Sequence, residues 1–100
     1  MAKLFISEYA ETGHLFGIPL MSAPEPALVE QTPVVIGAGS LQSAAFGSST
    51  RLVRIHTDAI CSIAFGSNPT ATANSKRLAA NATEYFSVKP GDKVAVITNT

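Results

Sequence analysis

Short segments in which apolar and polar residues alternate, each ended by turn-forming residues, constrain this chain more than any other feature. Within residues 52–57, Val53 and Ile55 fall on one side of an extended strand. The polar side chains between and after them, Arg54 and His56, fall on the other side. A period of two residues is typical of β-strands that bury one face, and it does not fit an amphipathic helix.

Turn signals divide the chain into short pieces. Clusters rich in Gly, Pro, Asn, Asp or Ser occupy residues 37–40, 66–69 and 89–92. Residues 94–97 form a continuous apolar run, which is typical of a strand buried on both faces. About six to eight short strands at this spacing predict an all-β fold of low helix content: a small antiparallel β-sandwich or jelly-roll-like domain.

The same patterns predict which side chains fill the space between two sheets. Each falls on the apolar side of an alternating strand or within the continuous apolar run. The predicted core consists of Cys61, Ile63, Phe65, Phe86, Val88, Val94 and Val96. Residues 28–30 and 34–36 indicate one further strand, and Pro33 between them would confine that strand to a sheet edge or a bulge.

Residues 13–27 break the strand pattern with prolines and glycines. Because proline fixes φ and disfavours a helix before it, we predict an extended Pro-rich arm. The chain is therefore divided into residues 1–27, an N-terminal strand with its arm, and residues 28–100, the β-sandwich domain. The apolar side chains of the arm either pack back on this domain or lie on a neighbouring subunit. Together with an outward-pointing tyrosine they form the candidate interface: Leu15, Phe16, Ile18, Leu20, Met21 and Tyr85.

Composition argues against two classes of partner. The sequence has 7 basic and 7 acidic residues, a formal net charge of zero, and only 14% charged residues. A neutral surface gives no broad attraction to nucleic acid or to an anionic membrane. No run approaches the roughly 20 apolar residues of a membrane span, and residues 4–6 are too short for the apolar core of a secretory signal. We expect neither nucleic acid nor membrane as a partner.

The cysteine, the histidines and the glycine-rich segment lack the spacing of known metal, disulfide or phosphate-binding motifs. Cys61 is the single cysteine, so no disulfide forms within the chain, and we expect a buried thiol. His56 and Asp58 make an H-x-D pair, whereas a zinc site needs about four ligands; His14 has no such neighbour. Residues 37–40 lack the lysine of a phosphate-binding loop. We expect no catalytic residue, no metal and no other cofactor, and hence a protein that is not an enzyme.

Three segments carry a family resemblance: RLVRIHTD at 51–58, CSIAFGSNPTA at 61–71 and EYFSVKPGDKVAVI at 84–97. In strand pattern and composition, this C-terminal half resembles small structural proteins of tailed bacteriophages. The resemblance implies a compact β-sandwich or jelly-roll unit encoded among virion genes, of which some serve as capsid decoration or cement proteins. It implies no functional residue.

The leading hypothesis is therefore a virion protein that decorates or cements a phage capsid, made in the host cytoplasm and placed on the capsid surface. Its expected partners are the major capsid protein and further copies of itself, as a dimer or trimer. The alternative is a receptor- or carbohydrate-binding β-module of a tail or fibre, which would need outward aromatic residues. A jelly-roll enzyme of the cupin type would need two histidines and a glutamate converging in the barrel, and the strand region holds one histidine.

Overall fold

The computed structural model describes residues 2–12, 14–15, 18–19 and 24–100, with the backbone alone at 14–15 and 18–19. These residues form strands and no helix. The strands are β1 (Lys3–Tyr9), β2 (His14–Leu15), β3 (Ile18–Pro19), β4 (Val29–Glu30), β5 (Val34–Val35), β6 (Leu41–Gln42), β7 (Leu52–Thr57), β8 (Cys61–Gly66), β9 (Lys76–Leu78), β10 (Thr83–Ser87) and β11 (Lys93–Thr98). The all-β prediction is confirmed.

Two antiparallel sheets form a sandwich-like domain. Sheet 1 has the order β10-β7-β1-β4, and β5 also pairs with β1. Sheet 2 has the order β6-β11-β8-β9. From β5 onward the chain passes repeatedly between the two sheets, so that most neighbours in a sheet, though not β8 and β9, are separated in sequence by strands of the other sheet. β1 lies inside sheet 1, between β7 and β4, although the sequence-based division placed it with residues 1–27.

The edge of sheet 1 is an interrupted strand, as Pro33 predicts. β4 pairs with Ser7 and Glu8 of β1, and β5 pairs with Lys3 and Leu4 of the same strand. The residues between β4 and β5 do not continue the ladder, because proline has no N–H to donate and bends the chain away. The prediction of an edge position is confirmed.

A loop at 67–75 covers the outer face of sheet 2. Asn99 donates from its side-chain amide to Ser62 Oγ at 2.6 Å and to the Ala73 carbonyl at 3.2 Å, which ties this loop to the sheet. Gln42 likewise donates to the Pro69 carbonyl at 2.8 Å. As a result Ala95, which points outward from β11, is fully buried. The prediction of a strand buried on both faces is confirmed.

The core lies between the sheets, where Leu4, Ile6, Val53 and Ile55 of sheet 1 pack against sheet 2. Four of the predicted core residues, Cys61, Ile63, Val94 and Val96, are buried there. The other three, Phe65, Phe86 and Val88, are only partly buried and pack against the margin of this core. The rings of Phe65 and Phe86 lie 5.1 Å apart and close the sandwich on the side of β10.

The turn predicted at 89–92 is present. Gly91 has a φ of 83°, which is the second central position of a type II turn and suits glycine. The N–H of Asp92 donates to the Lys89 carbonyl at 3.2 Å and closes the turn. The turn reverses the chain between β10 in sheet 1 and β11 in sheet 2.

The arm carries a small sheet of its own. β2 and β3 pair antiparallel, with His14 opposite Pro19 and Leu15 opposite Ile18. Phe16, Leu20 and Met21 of the predicted interface lie outside the described residues. The prediction that the arm contacts a neighbouring subunit stays a prediction.

Candidate functional site

The exposed large apolar side chains of the described residues fall on two surfaces of the sandwich. Leu28, Val29 and Leu41 lie at its open side edge. Phe5 and Tyr85 lie on the outer face of sheet 1. Because contiguous apolar surface on a small domain often marks a contact site, these two surfaces are the candidates.

The first surface, which we call the edge groove, runs between the edge strands of the two sheets. Within the described residues, β4 pairs with β1 alone and β6 pairs with β11 alone, so each strand has one free edge. A cleft of about 560 Å³ separates them, and Val29 and Leu41 lie on its opposite walls. Leu41 is 49% exposed, although it is a strand residue with a large apolar side chain.

The floor of the edge groove is a buried carboxylate. Glu8 of β1 is 1% exposed and accepts three hydrogen bonds. Its Oε1 accepts from the Gly47 N–H at 2.8 Å and from Thr50 Oγ1 at 2.7 Å. Its Oε2 accepts from Gln31 Nε2 at 2.7 Å. A buried charge with this many donors is stably held, since each hydrogen bond offsets part of the lost hydration.

Gln31 extends this network across the groove to the second sheet. Its Nε2 donates to the Ala44 carbonyl at 3.2 Å, and its Oε1 accepts from the Ala44 N–H at 3.1 Å. The side-chain amide therefore pairs with the backbone of Ala44 as a neighbouring strand would. Among the described residues, no buried side-chain nitrogen or oxygen lacks a hydrogen-bond partner. Hydrogen bonds thus hold the floor of the edge groove in place.

The second surface is a depression on the outer face of sheet 1, here called the outer-face depression. It has a volume of about 430 Å³ and is lined by Phe5, Ser7, Glu30, Arg54, His56 and Asp58. The strand register brings these residues together, because Phe5 pairs with His56 across β1 and β7. The two rings lie 6.2 Å apart and are tilted by 50°. His56 Nδ1 and Thr83 Oγ1 share a 2.8 Å hydrogen bond, which fixes the imidazole.

The outer face of sheet 1 is covered at its other end, around Tyr9. The hydroxyl of Tyr9 donates a 2.6 Å hydrogen bond to Glu25 Oε2, which holds Glu25 against sheet 1. Burial, and then the hydrogen bond and charge of Glu25, raise the pKa of Tyr9 to about 12. Tyr9 and Leu52 are therefore buried although they point outward.

Of the predicted interface residues whose side chains the structure describes, Tyr85 lies on the outer face. It is 50% exposed and pairs with Arg54, next to the outer-face depression. Leu15 and Ile18 lie opposite each other in the β2–β3 sheet. Sequence reasoning did not identify Glu8 or Gln31. The available signal was a carboxylate at an inward position of β1, in line with Leu4 and Ile6.

Of the residues considered for chemistry, Cys61 lies in the core, whereas His56 and Asp58 lie at the surface of sheet 1. Cys61 is buried and donates to Thr57 Oγ1 at 3.5 Å, and burial raises the pKa of its thiol. His56 and Asp58 both line the outer-face depression, and Asp58 Oδ2 accepts from the Lys3 N–H at 3.3 Å. In the described part of the chain, no group of three or more His, Cys, Asp or Glu residues is placed to hold a metal ion.

Comparisons with known proteins leave the fold and the two surfaces as the basis for a functional argument. No protein-family model matches the chain, and neither a curated protein nor a solved structure shows significant similarity to it. The residues that the structure describes include no helix long and apolar enough to cross a membrane.

Proposed function

We propose that this chain is a structural protein of a tailed-bacteriophage virion that decorates or cements the capsid, and that it acts by association without catalysis or cofactor. Its partners are the major capsid protein and further copies of itself, as a dimer or trimer. It is made in the host cytoplasm and ends on the capsid surface. The observation that carries the proposal is the edge groove, with exposed apolar side chains beside two free strand edges.

The edge groove suits an extended segment of another subunit. A free strand edge offers backbone N–H and C=O groups to a partner strand, and alternate side chains of that partner enter apolar pockets. Val29 and Leu41 provide apolar contacts on the two walls. The hydrogen-bonded Glu8 and Gln31 keep the walls at a fixed separation, so association requires little ordering of this chain.

The low charge of the chain favours the same mode of association. With 14% charged residues and no net charge, contacts rest on apolar and backbone groups rather than on ion pairs. Weak contacts of this kind become strong together when many copies bind one shell. The apolar residues of the arm, Leu15, Phe16, Ile18, Leu20 and Met21, are proposed as a second contact on a neighbouring subunit.

Light scattering on the eluting protein tests the self-association. The monomer has a mass of 10.4 kDa, so a dimer or trimer has two or three times that mass. We expect Leu41→Lys to shift the wild-type oligomer towards monomer, because a charge would be buried in an apolar contact. The matched control is Ala80→Lys, which adds the same charge at an exposed position between β9 and β10. A monomeric wild-type protein, or equal behaviour of the two variants, contradicts this use of the groove.

A receptor- or carbohydrate-binding module of a tail or fibre is the alternative, and the exposed aromatic rings of Phe5 and Tyr85 favour it. The two functions differ in where the protein sits in the particle. Antibody labelling of virions distinguishes them, since decoration predicts label over the whole head and the alternative predicts label at the tail.

A further inference from the structure

The two outer faces of the sandwich differ in their access to solvent. The outer face of sheet 2 lies under the loop at 67–75, and Ser62 and Ala95 on it are fully buried. The outer face of sheet 1 is covered at the Tyr9 end and open at the other end, where Phe5 is 39% exposed. The outer-face depression therefore lies on the open part of sheet 1.

The lining of this depression holds both hydrogen-bond donors and acceptors. Arg54 offers N–H donors only, Glu30 and Asp58 offer acceptor oxygens, and Ser7 offers both. Within the part of the chain that the structure describes, the guanidinium of the half-buried Arg54 has no hydrogen-bond or ion-pair partner. Its guanidinium is thus available to a ligand.

An aromatic wall completes the site. Phe5 presents its ring beside His56, and Tyr85 stands beyond Arg54 on the same face. Small-molecule sites typically combine apolar or aromatic walls with a few convergent polar groups, in volumes of about 300–1,000 Å³. The outer-face depression, at about 430 Å³, has this size, and its lining combines the apolar ring of Phe5 with several polar groups.

The charges restrict the class of ligand. An anion would meet the carboxylates of Glu30 and Asp58, and a cation would meet the guanidinium of Arg54. A neutral ligand with several hydroxyl groups avoids both repulsions, because each hydroxyl donates to a carboxylate or accepts from Arg54. The C–H face of a sugar ring can also lie against Phe5, because that face is apolar. We infer that the outer-face depression binds a neutral saccharide, an activity separate from the association proposed for the edge groove.

Backbone-amide NMR titration tests this inference on the full chain. The probes are lactose, maltotriose and chitotriose, each at millimolar concentration. At least one should shift the amides of Phe5, Ser7, Arg54 and His56 in a saturable manner. Arg54→Ala and Phe5→Ser should each weaken that binding at least tenfold. The matched control is Leu41→Lys in the edge groove, which should bind the sugar as the wild type does.

Other outcomes of the titration overturn the inference or separate it from the proposed self-association. Shifts from no sugar in the panel, or binding that Arg54→Ala and Phe5→Ser leave unchanged, overturn the inference. Saturable shifts at these residues with adenosine but with none of the sugars assign a different ligand class and also overturn it. Loss of oligomerisation in Leu41→Lys with sugar binding intact supports both proposals. Sugar binding by a monomeric wild-type protein supports this inference and contradicts the self-association.

Discussion

The carboxylate of Glu8 and the side-chain amide of Gln31 are joined by a 2.7 Å hydrogen bond beneath the edge groove. Gln31 in turn pairs with the backbone of Ala44, a residue that follows β6 at the edge of sheet 2. Together these hydrogen bonds connect β1, an inner strand of sheet 1, to the segment that follows β6 at the edge of sheet 2. At the opposite edge of the sandwich, the rings of Phe65 and Phe86 have the corresponding closing role.

Replacing Glu8 should therefore destabilise the fold. Glu8→Gln exchanges one acceptor oxygen for an N–H₂ group that faces existing donors. Because hydrogen bonds to charged groups contribute about 1.5–3 kcal/mol, we expect a loss of that order in the free energy of unfolding, measured by urea denaturation. Combining Glu8→Gln with Gln31→Met should cost less than the sum of the two single changes, since they share a bond. A loss below about 0.5 kcal/mol for Glu8→Gln would show that this network contributes little.

Adjacent aromatic residues of β10 test the register. Phe86 packs against the core margin, whereas Tyr85 is exposed on the other face. Full truncation of a buried Phe costs about 3–5 kcal/mol, so the half-buried Phe86→Ala should cost about 2–3 kcal/mol. Tyr85→Ala is the matched control and should cost about 1 kcal/mol or less, which allows for strand propensity. Equal losses in thermal or urea unfolding would place the strand in a different register.

Ionisation of the Tyr9 phenol should lower the stability of the folded domain at alkaline pH. Its pKa is 10.0 in an unstructured chain and about 12 in the fold. Because the folded state holds the proton more tightly, the contribution of Tyr9 to the free energy of unfolding is fully present below pH 10. This contribution is lost as the pH rises to about 12. Urea denaturation across this interval should show a smaller loss for Tyr9→Phe than for wild type. Tyr85→Phe should behave as wild type, and an identical decline in all three proteins would exclude Tyr9 as the cause.

The arm is tested by removing its apolar character while keeping its length. Replacing Leu15, Phe16, Ile18, Leu20 and Met21 together with serine should leave the sandwich folded, because residues of the two sheets form a buried core cluster between them. Self-association should weaken if the arm lies on a neighbour. The circular dichroism spectrum and the elution mass report the two effects separately. An unfolded variant would show that the arm packs on its own domain, and unchanged association would remove it from the interface.

The fold class and most of the core could be predicted from the sequence because strand alternation is local. Val53 and Ile55 in one strand, and Cys61 and Ile63 in the next, are each two residues apart. A sheet that buries one face requires this period. The interrupted edge strand also followed from one residue, Pro33, since proline lacks the N–H of a ladder. The jelly-roll topology stays a prediction.

The edge groove could not be predicted because it depends on contacts between distant parts of the chain. Glu8 accepts a hydrogen bond from Thr50, which lies 42 residues away, and Gln31 pairs with Ala44, which follows β6 of the other sheet. The alternation of β1 places Glu8 on the inward side with Leu4 and Ile6, but a glutamate is seldom buried without partners, and these partners could not be identified from the sequence. The outer-face depression likewise depends on the register of β1 against β7, which places Phe5 opposite His56. The alternation indicated which side His56 faces but not what lies beside it.

Co-sedimentation with capsid shells tests the proposed function most directly. The shells are assembled from a tailed-phage major capsid protein, the partner that the proposed function requires, and the wild type is compared with Leu41→Lys and with the control Ala80→Lys. The account predicts that wild type and Ala80→Lys sediment with the shells and that Leu41→Lys stays in the supernatant. Moderate salt should change the sedimented fraction little. Salt screens exposed ion pairs, with a Debye length of about 8–10 Å, whereas the proposed contacts are apolar and backbone contacts. A wild-type protein that stays in the supernatant, or a Leu41→Lys variant that binds as the wild type does, would contradict it.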